Sequence, residues 1–227
     1  MRRVLFIDYD GTLHDTDATF AAGLDGIYGL NGQTVLEAFI TVHRKIVHLR
    51  YPDKHDDLFF HQKLLCEHLN LPYDETEARK IARRFREALE QTWLNPSFFP
   101  DSLHFLQSVN DKHILCLTTG DNAREKANAI EKAAGKNYFT YIFDQTHLGI
   151  KGSSSTYYEN ALAATKSRPG EVIVIGDSLE HDIAAAKEAG IATVWVNRKG
   201  LTPAGDFPPP DFRAVDLLEV LTYLNSL

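Results

Sequence analysis

The sequence is poor in cysteine, with only Cys66 and Cys116 among 227 residues. The two are far apart, and Cys116 lies inside an apolar run, so we expect neither a disulfide framework nor a thiolate metal site. A reducing, cytoplasmic location is the expectation that follows. No apolar run approaches the roughly 18 residues that a membrane span needs. The apolar stretch after Arg3 ends at Asp8, which is too short for the core of a secretory leader.

Positive charge is also scarce. Lys and Arg number 24 against 31 Asp and Glu, so the formal charge is −7. This balance argues against a general affinity for nucleic acid polymers or anionic membranes. A small anionic substrate stays compatible with it, because a local cation can reverse the field within one pocket.

One predicted strand stands at the start of the sequence, and strands and helices alternate only after Pro100. Short apolar runs predict strands at residues 4–7, 114–117, 141–143, 172–175 and 192–196. Helical stretches separate the later runs, a pattern typical of a doubly wound α/β fold with a parallel sheet and helices on both faces.

The stretch between the first two predicted strands shows only helical periodicity. Its predicted helices lie near residues 18–28, 33–50, 57–69 and 75–93, with turn-forming residues between them. We therefore predict an α/β core of residues 1–14 and 98–227. The inserted all-helical domain, residues 15–97, is predicted to act as a cap.

Polar side chains follow the predicted strands. They are Asp8, Asp10, Thr118, Thr119, Gly120, Lys151, Asp177 and Asp182. In an open parallel sheet the carboxyl ends of the strands form one crevice, so we expect these residues to converge there. Each motif alone has another interpretation: Asp10-Gly11 as a hairpin turn, Gly176-Asp177-Ser178 as the start of a helix, and Lys151 as a surface lysine.

Convergence of four carboxylates poses an electrostatic problem. Two unit charges ~4 Å apart repel by about 4 kcal/mol at an effective dielectric constant of 20. Carboxylate oxygens without a Cys or His cluster suit Mg²⁺, which also binds substrate phosphates. With Lys151 adding positive charge, the crevice is predicted to bind a phosphoryl dianion.

Histidines are frequent in the helical insert, at positions 43, 48, 55, 61 and 68. Their spacing offers no pair on one helix face that would bind a metal, so the sequence favours surface or core roles for them.

The order of these residues resembles the four motifs of the haloacid dehalogenase-like (HAD) hydrolase superfamily. The matching segments are Asp8-x-Asp10-Gly11-Thr12-Leu13, Thr118, Lys151 and Gly176-Asp177-x-x-x-x-Asp182. The resemblance spans nearly the whole chain and includes a helical cap inserted after the first motif. Two positions depart from the pattern: Thr119 stands where many relatives have Asn, and Gly152 follows Lys151 where proline is common.

The resemblance implies a role for each residue. Asp8 would be the nucleophile that forms an aspartyl-phosphate, and Asp10 the general acid and then the base that activates water. Lys151 would neutralise charge on Asp8 and the phosphoryl group. The other implied roles are phosphoryl binding by Thr118, Thr119 and Gly120, and Mg²⁺ ligation by Asp8, Asp177, the backbone carbonyl of Asp10 and, at one remove, Asp182.

Asp10 separates the reactions known in this superfamily. Dehalogenases lack a carboxylate at that position, because a leaving halide needs no proton and a leaving alkoxide does. The sequence therefore predicts a magnesium-dependent phosphatase acting on a small phosphorylated metabolite, such as phosphoglycolate, a sugar phosphate or a nucleoside monophosphate. A phosphomutase acting on a sugar phosphate and a non-catalytic binding protein with the same fold are the alternatives.

Overall fold

The computed structural model describes residues 2–152, 154–203 and 206–227, without the side chains of His48 and Pro52. The chain forms two compact units: Met1–Asp15 with Phe98–Leu227, and Thr16–Ser97.

A six-stranded sheet organises the first unit. Its strands are β1 (Val4–Ile7), β2 (Ile114–Thr118), β3 (Tyr141–Phe143), β4 (Val172–Gly176), β5 (Ala192–Val196) and β6 (Phe212–Ala214). Every pair is parallel, and the order is β3-β2-β1-β4-β5-β6. The predicted doubly wound α/β class is confirmed. The short β6 was not predicted.

The central strand β1 is apolar because both of its faces are covered. Leu5 and Ile7 pack into one buried cluster with Phe105, whereas Val4 and Phe6 pack on the opposite face. Alternate side chains of a strand point to opposite faces, so this apolar run places β1 in the middle of the sheet. The end of β1 is thereby held between those of β2 and β4.

Helices cover the sheet and form most of the connections between its strands. They are Ser102–Asn110, Ala123–Ala134, Gln145–Leu148, Thr156–Thr165, Ala185–Glu188 and Leu217–Asn225, with a π-helical turn at Leu179–Ala184. The helical stretch between β4 and β5 is thus a π turn followed by a short α-helix. Such π turns are frequent near functional sites.

The regular secondary structure in the described residues of the second unit is all helical. Its α-helices are Thr16–Leu24, Gly32–Val42, His48–Arg50, Leu58–Leu69 and Glu75–Leu94, and a π-helical stretch at His43–Val47 continues the second helix. Asn31, Asp57 and Asp74 begin three of them by accepting hydrogen bonds from backbone N–H groups. The buried centre includes Leu24, Val35, Leu65 and Phe85.

Among the described residues, no helix is both long and apolar enough to cross a bilayer. The cytoplasmic location stays a prediction.

One ion pair joins three distant parts of the first unit. The Arg198 guanidinium donates two hydrogen bonds to Asp101, of 2.9 and 3.1 Å, and one of 2.9 Å to the carbonyl of Thr12. Asp101 also accepts from the backbone N–H of Leu217 at 2.7 Å, and the guanidinium lies 3.9 Å from the centroid of the Phe99 ring. The pair therefore fixes the loop after β1 against the C-terminal helix.

We expect Asp101→Ala to destabilise the protein strongly. It leaves the guanidinium of Arg198, whose side chain is 14% exposed, without its carboxylate partner, and it frees the N–H of Leu217. Loss of one partner of a largely buried ion pair costs about 3 kcal/mol. Urea unfolding measures the loss, and Asp111→Ala, at an exposed position of the same unit, is the control. Equal unfolding midpoints for the two variants would contradict the prediction.

Candidate active site

Three carboxylates meet at the carboxyl ends of β1 and β4. One oxygen from each of Asp8, Asp177 and Asp182 lies within 4.8 Å of the others. Asp8 and Asp182 are buried, and Asp177 is partly buried. The backbone places this group: the N–H of Asp8 donates to the carbonyl of Ile175 at 2.9 Å, in continuation of the ladder between the two strands.

Lys151 lies against the same group. Its ammonium is 2.6 Å from Asp8 Oδ1 and 2.7 Å from Asp182 Oδ1, and it donates to the carbonyl of Thr118 at 3.1 Å. Tyr158 also donates to Asp182 Oδ1, at 3.2 Å. The structure thus brings the lysine and three of the predicted aspartates to one point.

The carboxylates outnumber the ammonium that neutralises them. Burial raises the pKa of Asp8 to about 7, against the lowering effect of Lys151. Burial, with the negative charges of Asp8 and Asp182, raises the pKa of Asp177 well above its usual range. A divalent cation would relieve this repulsion, and the oxygen donors of the cluster fit Mg²⁺.

Two glycines let the backbone approach the site closely. Gly11 has φ +77°, and a Cβ there would overlap the carboxylate of Asp177. Gly152, where proline is common in the superfamily, has φ +86°, outside the range of proline, and a Cβ would overlap His181. Glycine therefore replaces proline at position 152 because the backbone has a positive φ there and leaves no room for a side chain.

Thr118 ends β2 with its side chain buried. Its Oγ1 finds no hydrogen-bond partner among the residues that the structure describes. A buried hydroxyl without a partner is uncommon in folded proteins, and it marks a place where a ligand oxygen can bind. Gly120, in the turn beyond, accepts a hydrogen bond from the N–H of Gln145 at 3.1 Å.

Asp10 has a partner that the sequence analysis missed. Lys126 donates from Nζ to Asp10 Oδ2 at 2.7 Å and to Thr119 Oγ1 at 2.9 Å. The Thr119 hydroxyl also lies 3.3 Å from Asp10 Oδ2. The Thr119 side chain therefore contacts both Asp10 and Lys126. Helical periodicity carried a signal for Lys126, because it falls on the buried face of its helix with Ala123, Ala127 and Ile130.

Aromatic side chains surround the loop that carries Asp10. Tyr9 is buried and stacks on His14 with 5.1 Å between ring centroids, and Phe98 meets both rings edge-on. Burial lowers the pKa of His14 to about 4, so that imidazole is neutral near pH 7.

The histidines of the helical unit are closer together than their spacing indicated. His43 Nδ1 lies 3.0 Å from His61 Nε2, and His61 Nδ1 lies 2.8 Å from the carbonyl of Asp57. Two different helical segments supply the pair, which spacing along one helix could not reveal.

The chain as a whole is similar to known proteins. Residues 2–190 match the haloacid dehalogenase-like hydrolase family. The chain belongs to that family. Among curated proteins, this HAD-like hydrolase is similar to N-acylneuraminate-9-phosphatase of Mus musculus, with 25% identity over 99% of this chain and 94% of the relative. The predicted enzyme class, a HAD-type phosphatase, is confirmed.

Solved structures share the fold of this HAD-like hydrolase. The putative HAD-hydrolase YfnB from Bacillus subtilis bound to magnesium matches with a TM-score of 0.78 and 17% identity, covering 99% of each chain. The L-2-haloacid dehalogenase RSc1362 matches with a TM-score of 0.76 and 19% identity, also over 99% of each chain. The same fold thus also occurs in a protein named as a dehalogenase, so the fold alone does not select the substrate.

Proposed function

We propose that this HAD-like hydrolase is a magnesium-dependent phosphatase that hydrolyses a small phosphate monoester through an aspartyl-phosphate on Asp8. The observation that carries the proposal is the pair of carboxylates two residues apart in different surroundings. Asp8 is buried against Lys151 at 2.6 Å, whereas the Asp10 side chain is 38% exposed and bound to Lys126. Two carboxylates in different environments suit two different roles.

In the first step, a carboxylate oxygen of Asp8 attacks phosphorus, and the bond from phosphorus to the leaving oxygen breaks. Asp10 gives its proton to that oxygen, which a leaving alkoxide requires. In the second step, Asp10 takes a proton from water, and the water oxygen attacks phosphorus and releases Asp8. Two steps with one acid–base residue return the enzyme to its starting state.

Two further side chains serve the phosphoryl group. Lys151 Nζ, beside Asp8, offsets the negative charge that would otherwise repel an incoming dianion. The hydroxyl of Thr118, which has no partner among the described residues, donates to a phosphoryl oxygen. The backbone N–H of Gly120 extends this binding segment, whereas that of Thr119 donates to the carbonyl of Phe143 at 3.1 Å.

The carboxylate cluster is the proposed magnesium site. Asp8 and Asp177, with the backbone carbonyl of Asp10, would hold Mg²⁺, and Asp182 would bind it or orient the other ligands. When bound, the ion supplies positive charge that neutralises the phosphoryl oxygens.

We propose that residues 15–97 form the cap and that its helices exclude water during transfer. For the substrate class, a sugar phosphate is supported by the similarity to a protein named N-acylneuraminate-9-phosphatase along nearly its whole length. Phosphoglycolate and nucleoside monophosphates are the other classes to compare.

A panel of phosphate esters tests this function. N-acetylneuraminate 9-phosphate, glucose 6-phosphate, phosphoglycolate and AMP are assayed for phosphate release with Mg²⁺ and with excess EDTA. We expect release from one or two of them in Mg²⁺, at least 100-fold slower in EDTA, and restored by added Mg²⁺. Release that EDTA leaves unchanged would contradict magnesium dependence. A sugar phosphate that is isomerised without phosphate release would point to a phosphomutase.

A further inference from the structure

Lys126 is a buried ammonium next to the proposed active site that the mechanism above does not use. Its side chain is 3% exposed and comes from the Ala123–Ala134 helix, 116 residues along the chain from Asp10. Holding a lysine in the interior costs several kcal/mol unless its charge is paired. The groups that contact Lys126 must therefore account for its burial.

Its three contacts account for its whole donor capacity. An ammonium has three N–H donors, and those of Lys126 reach Asp10 Oδ2 at 2.7 Å, Asp121 Oδ1 at 2.8 Å and Thr119 Oγ1 at 2.9 Å. No donor is left for a substrate. Lys126 therefore acts on any reaction through the residues it binds, and it is a positioning residue.

The ammonium of Lys126 is paired with two carboxylates. Burial alone would lower the pKa of Lys126, but the carboxylates of Asp10 and Asp121 outweigh that effect and raise it above its ordinary value. The position of the ammonium against Asp10 is fixed, because the Asp121 carboxylate and the Thr119 hydroxyl also bind it.

We propose that Lys126, together with Thr119, positions the carboxyl group of Asp10 for transfer of its proton to the leaving oxygen. The inference rests on the proposed function, in which Asp10 is the general acid. Thr119, which departs from the Asn common at this position, contributes a hydroxyl that lies within hydrogen-bond distance of both Asp10 and Lys126. A positioned acid accelerates only those reactions whose leaving oxygen needs its proton.

The leaving group therefore distinguishes positioning from a general structural role. Single-turnover formation of the phosphoenzyme is compared between the alkyl ester that reacts fastest in the panel and p-nitrophenyl phosphate, whose leaving group needs little protonation. For Lys126→Met we expect the alkyl rate to fall about 100-fold and the aryl rate to fall less than about 3-fold. The ester concentration for half-maximal rate should stay nearly constant.

Two other variants complete the test. Lys132→Met, at an exposed position of the same helix, should leave both rates unchanged. Asp121→Asn keeps the ammonium but weakens one of its contacts, and it should give a smaller loss with the same preference for the alkyl ester. Equal losses for both leaving groups in Lys126→Met and Asp121→Asn would overturn the proposal.

Crystal structures separate this inference from the proposed function. In Lys126→Met the carboxylate of Asp10 should leave its place, whereas in Lys132→Met it should keep it. An Asp10 carboxylate that stays in place without Lys126 would overturn the positioning role, whatever the activity. A wild-type protein that forms no phosphoenzyme with any ester, while Asp10 moves as expected, would refute the phosphatase function alone.

Discussion

Asp8→Asn should abolish turnover while the protein stays folded. The amide oxygen of Asn is a poor nucleophile, so no aspartyl-phosphate can form, and removing a nucleophile typically costs a factor of about 10⁴ or more. Stability should not fall with it. Burial raises the pKa of Asp8 to about 7, which means that its carboxylate is held in an unfavourable environment. A neutral amide of the same shape removes that burden.

Phosphate release and thermal unfolding in EDTA measure the two effects separately. We expect a rate at the level of the uncatalysed background and a melting temperature equal to or above that of the wild type. Asp111→Asn, an exposed aspartate of the same unit, should change neither. A rate within about tenfold of the wild type would exclude Asp8 as nucleophile.

Lys151→Met should lower activity and stability together. The substitution removes the ammonium that lies 2.6 Å from Asp8 and 2.7 Å from Asp182, whose side chain is 1% exposed. Taking one partner from a buried ion pair costs about 3 to 5 kcal/mol. Loss of a charge that stabilises the transferring group lowers kcat by about 10²- to 10³-fold.

Urea unfolding in EDTA and in Mg²⁺ measures the stability effect. The loss should be larger in EDTA, because a bound cation takes over part of the neutralisation. A second substitution, Asp182→Asn in the Lys151→Met background, should recover part of the loss, because it removes one of the stranded carboxylates. Lys132→Met, whose side chain is exposed, is the control for removal of a lysine. Unchanged stability of Lys151→Met would show that the ion pairs do not stabilise the fold.

Much of the fold followed from local pattern. The run Val4–Ile7 is apolar at every position and ends abruptly at Asp8, as a strand buried on both faces does at its exposed tip. The parallel order of such strands then brings their ends to one edge of the sheet, so Asp8, Asp177 and Asp182 could be expected to meet there. The strand Phe212–Ala214 was not predicted, because Arg213 interrupts its apolar residues, whereas the equally short strand Tyr141–Phe143 is apolar at every position.

The sequence could not show which side chains pair with one another. The helical period indicated that Lys126 faces the interior but could not show that Asp10, 116 residues away, would meet it there. Arg198 and Asp101, 97 residues apart, and His43 and His61, on different helical segments, are pairs of the same kind. The sequence by itself determined five of the six strands that the structure describes and the residues at their tips, because burial of a strand leaves a local pattern, and the resemblance carried by those residues indicated the enzyme class. Only the tertiary structure decided which charges pair, because pairing depends on how elements distant in sequence pack together.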